Sequence, residues 1–202
     1  MSPKYFLVFD TETTGLGNAY ITQLGWVIYD LVQNKIIQQY DSYICIPPLV
    51  TISEKAIELT GITREKCDTG VDICNALIMF YHACMSCDII VAHNLSFDIR
   101  MINLEIKRNY TTLIKTCPDL DEIFNKTTYC TMLRGITVCN ITQQNRQTLK
   151  RPKLLELYKA LFGTDDEVLN FHNAMIDTLV CMQCYLFMQY NIVQTIKQLQ
   201  MF

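Results

Sequence analysis

Four acids and one histidine stand where the chain could put them to chemical use. Asp10 and Glu12 follow the apolar run Tyr5-Phe6-Leu7-Val8-Phe9. Side chains two residues apart on a strand project to the same side, so the two carboxylates repel unless something neutralises them. A divalent cation does so economically, because Mg²⁺ favours oxygen ligands and completes its shell with water and phosphate oxygens. Without metal the pair is an acidic turn, with Asp10 receiving backbone amides and Glu12 in solvent. Asp98 follows Val91-Ala92-His93-Asn94 at the beginning of a helical pattern, where an acid also interacts favourably with the helix dipole. Asp177 lies five residues after His172. Five helical residues rotate by about 140°, so these two meet only if His172 sits on the loop before a helix capped by Asn173. That arrangement sets a metal ligand beside a proton acceptor that changes charge near neutral pH.

The elements that must hold these residues can be read from the pattern. The continuously apolar run before Asp10 suits a central strand buried on both faces. Residues 21–31 and 35–46 mix β-branched and aromatic side chains around Gln33-Asn34, as a hairpin would, and Pro47-Pro48 ends it. Ser53 can cap a short helix through Leu59 with Gly61 as its stop, and residues 72–84 form a second helical pattern. Residues 89–92 make a short strand, after which Ser96 can cap a helix to about residue 109. Residues 125–147 are polar and basic with scattered strand signals. Pro152 suits the first position of a helix over residues 153–162, closed by Gly163. Asn173 caps a long helix through about Tyr190, followed by a short terminal one. The expected fold class is α/β, a mixed sheet with helices on its faces.

Composition narrows the setting. The 202 residues are one domain's worth, and 50% apolar against 18% charged residues excludes disorder and coiled coil. No apolar run reaches the roughly 18 residues of a membrane helix, and the N-terminal run is too short for a secretory leader. The expectation is a cytoplasmic protein, neither secreted nor membrane-bound. Ten cysteines then read as reduced thiols, and Cys84/Cys87 and Cys181/Cys184 as small buried hydrophobes on helices rather than zinc pairs. The net charge of −3 conceals an asymmetry: residues 123–155 carry six bases and no acid, leaving −9 elsewhere. Arg146, Lys150 and Arg151 are the candidate phosphate contacts in that segment, whose alternative reading is a solvated loop face.

Three stretches carry a resemblance: Phe9-Asp10-Thr11-Glu12-Thr13-Thr14-Gly15-Leu16, then His93-Asn94-Leu95-Ser96-Phe97-Asp98, then His172-Asn173-Ala174-Met175-Ile176-Asp177. They resemble, in order, the motifs of the DEDD exonuclease superfamily. More narrowly they are similar to its histidine-containing branch, typified by the proofreading epsilon subunit of bacterial DNA polymerase III. A seven-residue match to Asp-Thr-Glu-Thr-Thr-Gly-Leu arises by chance about once in 10⁹ starting positions.

The resemblance implies a ribonuclease-H-like fold over residues 1–202 as a single exonuclease domain. It implies two Mg²⁺ or Mn²⁺ ions and release of nucleoside monophosphates from the 3′ end of a single strand. Asp10 would bridge both ions, Glu12 and Asp177 would complete the nucleophile-side ion, Asp98 would support the second through water, and His172 would take the proton of the attacking water. Leu16 matches an apolar wedge between terminal bases, with the backbone near Thr13 to Leu16, Gly15 included, against the last nucleotide. Thr60 stands where the family's short His-Gly-Ile-Thr stretch has His, so a terminal-nucleotide contact is altered. Asn94 and Phe97 belong to the second motif, and Phe97 suits packing as well as substrate contact. The form of the first motif favours DNA and a proofreading or repair role, with a polymerase or another replication or repair protein as partner. The alternatives are RNA trimming, and a nucleic-acid-binding subunit with little turnover. The last predicts a missing ligand, and none is missing.

Overall fold

The computed structural model describes residues 3–143, 148–163 and 172–194. Its centre is a five-stranded sheet in the order β3-β2-β1-β4-β5. The strands β1 (Tyr5–Thr13), β2 (Ile21–Asp30) and β3 (Lys35–Tyr43) are antiparallel, while β4 (Ile89–Ala92) and β5 (Thr127–Cys130) run parallel to β1. The helices are α1 (Glu54–Thr60), α2 (Arg64–Asp68), α3 (Ile73–Met85), α4 (Leu95–Arg108), α5 (Tyr110–Leu113), α6 (Thr131–Cys139), α7 (Leu154–Phe162) and α8 (Ala174–Tyr190). This is the mixed, helix-flanked sheet expected from the sequence.

Alternation along β1 divides the core. Leu7 and Phe9 join Leu24, Trp26 and Ile28 under α3, α4 and α5, whereas Phe6 and Val8 join Val27 and Tyr29 under α7 and α8. Asp10 and Glu12 continue the second row, so β1 delivers both carboxylates toward α8. Local signals act as expected in α1, where Ser53 Oγ accepts from Ala56 N–H and Gly61 takes the left-handed conformation at φ 64°.

Several expectations are corrected. The Asn94 carbonyl accepts from both Phe97 and Asp98 N–H, so α4 starts at Leu95 and Ser96 is an exposed first-turn residue, not the cap. Pro152 lies just outside α7, whose capping position is Lys153, with the Glu156 carboxylate accepting from the Lys153 N–H. The Pro152 carbonyl instead accepts from His93 Nε2, 3.1 Å away, and burial pushes the His93 imidazole down to about 4. Residues 125–147 hold β5 and α6, which scattered polar signals and Gly135 conceal. Gly135 lies where the helices approach closely: a Cβ there would stand 2.9 Å from the Leu157 side chain on α7, which would have to shift. The short terminal helix expected after Tyr190 falls outside the described residues beyond position 194.

Lys126, one of the six bases of the 123–155 segment, reaches back to the C-terminal end of α3. Its Nζ donates to the carbonyls of Cys84, Met85 and Cys87 at 2.7–2.9 Å. The Cys84 and Met85 carbonyls belong to the last turn of α3 and the Cys87 carbonyl to the turn just beyond it, where a helix leaves acceptors exposed. Lys126→Met removes three charge-assisted hydrogen bonds and should lower stability by about 1–3 kcal/mol, which urea unfolding checks.

Candidate active site

The site forms where the end of β1 meets the first turns of α4 and α8. β1 runs beyond the apolar stretch, pairing Asp10 with Gly25 and Glu12 with Gln23 before a register shift at Thr13. Asp98 comes from the α4 layer. It is 2% exposed, and its Oδ1 accepts from Thr11 Oγ1 at 2.8 Å and Thr11 N–H at 3.3 Å. The odd-numbered Thr11 thus ties α4 to the strand that carries Asp10 and Glu12.

Asp177 lies in the first turn of α8, and Asn173 Oδ1 caps that helix by accepting from Met175 and Ile176 N–H. Immediately before the cap, His172 takes a left-handed conformation at φ 70°, and its N–H donates to Asp177 Oδ2 at 3.3 Å. The backbone turns back on the helix, which keeps an exposed imidazole near a carboxylate despite the five-residue spacing. One donor atom each from Glu12, His172 and Asp177 lies within 4.8 Å of the others.

Gly25 allows α8 to come this close. A Cβ on Gly25 would stand 2.7 Å from the Ala174 backbone carbon, and the Gly25 carbonyl accepts from Thr178 Oγ1 at 3.1 Å.

The carboxyl groups share one electrostatic signature. Burial, then repulsion from Asp98, Asp177 and Glu12, holds Asp10 well above the ordinary carboxylate range. Burial and its acidic neighbours push Glu12 to about 8. Burial pushes Asp98 to about 7 against the opposing hydrogen bonds from Thr11, and Asp177 to about 7 against that from His172. Asp177 Oδ1 is buried with no hydrogen-bond partner among the described residues. Repelling acids, an orphaned buried carboxylate oxygen and an all-oxygen set with a nearby imidazole fit a divalent cation.

The remaining candidates take distinct places. Leu16 is 87% exposed, which excludes it from the core. Thr13 Oγ1 donates to the Gly15 carbonyl at 2.7 Å, and Gly15 has φ 151° with Ser53 Oγ 3.3 Å from where a Cβ would stand. Thr60 Oγ1 donates to the Ala56 carbonyl and accepts from Ile62 N–H, so both hydrogen bonds stay within its own turn. Asn94 is exposed, while Phe97 is half-buried against the α3/α4 core under the Arg100 guanidinium. Lys150 pairs with Glu156 at 2.5 Å, Arg151 is exposed, and Arg146 lies outside the described residues. Sequence reasoning missed Thr11, Gln23, Gly25 and Thr178, the groups that dock α4 and α8. A glycine inside the apolar β2 stretch was the available signal.

A family profile for exonucleases of the RNase T type matches residues 7–185. The chain belongs to the exonuclease family. The DNA polymerase III PolC-type of Oceanobacillus iheyensis is 35% identical over 103 residues, which is 51% of this chain and 7% of that protein. Its Bacillus subtilis counterpart is 33% identical over 108 residues, covering 54% and 7%. E. coli exonuclease I, solved with a dT13 oligonucleotide, superposes with a TM-score of 0.69 at 17% identity over 93% of this chain and 42% of its own. The fold is therefore the ribonuclease-H-like fold of that enzyme. The chain spans only a small part of the polymerases and under half of exonuclease I. No helix among the described residues is long and apolar enough to cross a membrane.

Proposed function

We propose that this exonuclease-family chain is a metal-dependent 3′–5′ exonuclease that removes nucleoside monophosphates from single strands, with DNA preferred, in proofreading or repair. The observation that carries the reading is the cluster of buried Asp98 and half-buried, mutually repelling Asp10, Glu12 and Asp177 with His172 beside them. The solved oligonucleotide complex of exonuclease I and the PolC-type relatives support DNA as substrate and a polymerase or another replication or repair protein as partner.

Asp10, Glu12 and Asp177 would hold one Mg²⁺ or Mn²⁺ ion, with Asp10 also facing a second that Asp98 supports through water. Such ions lower the pKa of a nearby water and stabilise charge on attacking and leaving oxygens. The chain's own residues do the rest. His172, exposed on its loop, takes the proton of the attacking water at a ring nitrogen. Leu16, with the backbone of Thr13 and Gly15 behind it, wedges against the terminal base. Asn94 and Phe97 line the approach, and Thr60, its hydroxyl occupied, leaves the contact of the family's histidine unmade.

The test is degradation of 5′-labelled DNA and RNA single strands, with Mg²⁺ or chelator. Stepwise shortening of DNA from the 3′ end in Mg²⁺ is expected. Faster RNA shortening would make the chain an RNA-trimming enzyme, and binding without shortening would make it a binding subunit. Of the proposed phosphate contacts, Arg151 is exposed without an acidic partner among the described ion pairs, and Lys150 is held by Glu156. Arg151→Gln should flatten the log-affinity against log-salt slope by about 0.7, measured by fluorescence anisotropy, and Lys150→Gln by less.

A further inference from the structure

The two residues that dock α8 on the sheet are the cross-strand partners of the two β1 carboxylates. Gly25 faces Asp10 and Gln23 faces Glu12, and directly paired residues project to the same face. Gln23 is 2% exposed, with both ends of its amide engaged. Its Oε1 accepts from the Ala174 N–H, the first amide of α8, at 3.2 Å. Its Nε2 donates to Asp41 Oδ1 on β3 at 2.8 Å. Asp41 pairs with Gly25, one step diagonal from Gln23 on the same face. Asp41 accepts only, so it fixes which end of the Gln23 amide carries oxygen, and that oxygen is the one the helix amide requires. Asn173 satisfies the next two amides of the turn. Among the described residues, Gln23 is thus the side chain that hydrogen-bonds the first turn of α8 to the strand opposite Glu12.

We infer that Gln23, oriented by Asp41, is a positioning residue that sets the approach of Asp177 and His172 to Glu12 and thereby the cation affinity of the site. The inference rests on the metal-centre reading above. Both ends of the Gln23 amide are committed to α8 and β3, so neither is free to act on a substrate. It acts through the rigid first turn of α8, in which Asp177 stands three residues after Ala174 and His172 precedes the cap. Groups that orient ligands in this way are typically worth about 10–100-fold in metal affinity.

The test is a direct Mn²⁺ titration by electron paramagnetic resonance, without nucleic acid. Gln23→Leu keeps the volume and loses both hydrogen bonds, so Mn²⁺ affinity should fall by about 10-fold or more. Asp41 lies at the exposed edge strand, so Asp41→Ala provides a variant that folds if Gln23→Leu does not. It should weaken affinity by a smaller factor. Asp41→Asn removes the same charge but keeps an oxygen able to accept from Gln23, and should bind Mn²⁺ nearly as the natural protein does. A purely structural role would lower the melting temperature of Gln23→Leu and Asp41→Ala yet leave affinity per folded molecule unchanged. That result overturns the inference, as does equal weakening by Asp41→Asn and Asp41→Ala, which would assign the effect to charge. Failure of the natural protein itself to bind Mn²⁺ overturns the metal-centre reading and this inference with it.

Discussion

Asp10→Asn gives a folded protein that has lost phosphodiester hydrolysis by at least about 10³-fold, because several kcal/mol of charge stabilisation depend on the ligand it removes. The same substitution should raise the melting temperature without metal. Burial and three acidic neighbours hold the Asp10 carboxyl well above its ordinary range, and Glu12, Asp98 and Asp177 are pushed to about 8, 7 and 7. A carboxyl that holds its proton more tightly folded than unfolded favours the fold at low pH. That contribution is present below the unfolded value near 4 and is lost as pH rises through the folded values. In chelator, the natural protein should therefore melt at progressively lower temperature between about pH 4 and 8. Asp10→Asn should flatten that fall, having one fewer charge to bury. Added Mn²⁺ should restore the natural protein most at the upper end, where the ligands are ionised. Differential scanning fluorimetry across pH, beside a labelled-strand assay, reads both effects. A variant that melts lower in chelator at pH 8, or that cuts within tenfold of the natural rate, would refute the assignment of Asp10.

What the sequence made legible is mostly what short-range physics decides. Period-two alternation carries Asp10 and Glu12 onto one face, the Asn173 cap places Asp177 in a first turn, and Ser53 and Gly61 bound α1. Each depends on neighbours within a few residues. The exonuclease motifs added an order of elements that spacing alone leaves open, and the family match over residues 7–185 agrees with it. The pieces that assemble the site are of another kind. Thr11 meets Asp98 across 87 positions, and Gln23 meets Ala174 across 151. Nothing in the local pattern marks either pairing, because a buried glutamine and a strand threonine look alike whether they dock a helix or merely pack.

The basic segment shows the same limit from the opposite side. Counting charges over residues 123–155 treats six bases as equivalent. Lys126 is used to terminate α3, Lys150 pairs with Glu156, and the Arg134 guanidinium lies over the Tyr129 ring. A charge sum cannot distinguish a lysine that closes a helix 42 positions upstream from one free to meet a phosphate. The misplaced start of α4 has a related cause. Asn94 holds the capping position through its carbonyl alone, its side chain making no capping hydrogen bond, so a rule that looks for a capping side chain misplaces the start.

His172→Ala should cost about 10² to 10⁴ in rate, the usual contribution of a positioned acid or base, with Mn²⁺ binding little changed. Its signature lies in the pH profile. Activity should fall toward low pH for two separable reasons. The carboxylates must be ionised to hold a cation, so their part of the acidic limb shifts to lower pH as Mg²⁺ is raised, since the ion competes with protons for the same oxygens. Protonation of His172 removes the acceptor for the proton of the attacking water, and that part stays in place once Mg²⁺ saturates. The exposure of His172 and its position before the α8 cap, where only its backbone N–H is committed to Asp177, leave the ring available for this task. At saturating Mg²⁺ the natural protein should thus retain an acidic limb that the variant lacks. If raising Mg²⁺ instead restores the variant to the natural rate, or if the limb persists unchanged without the imidazole, His172 serves cation binding and not proton transfer.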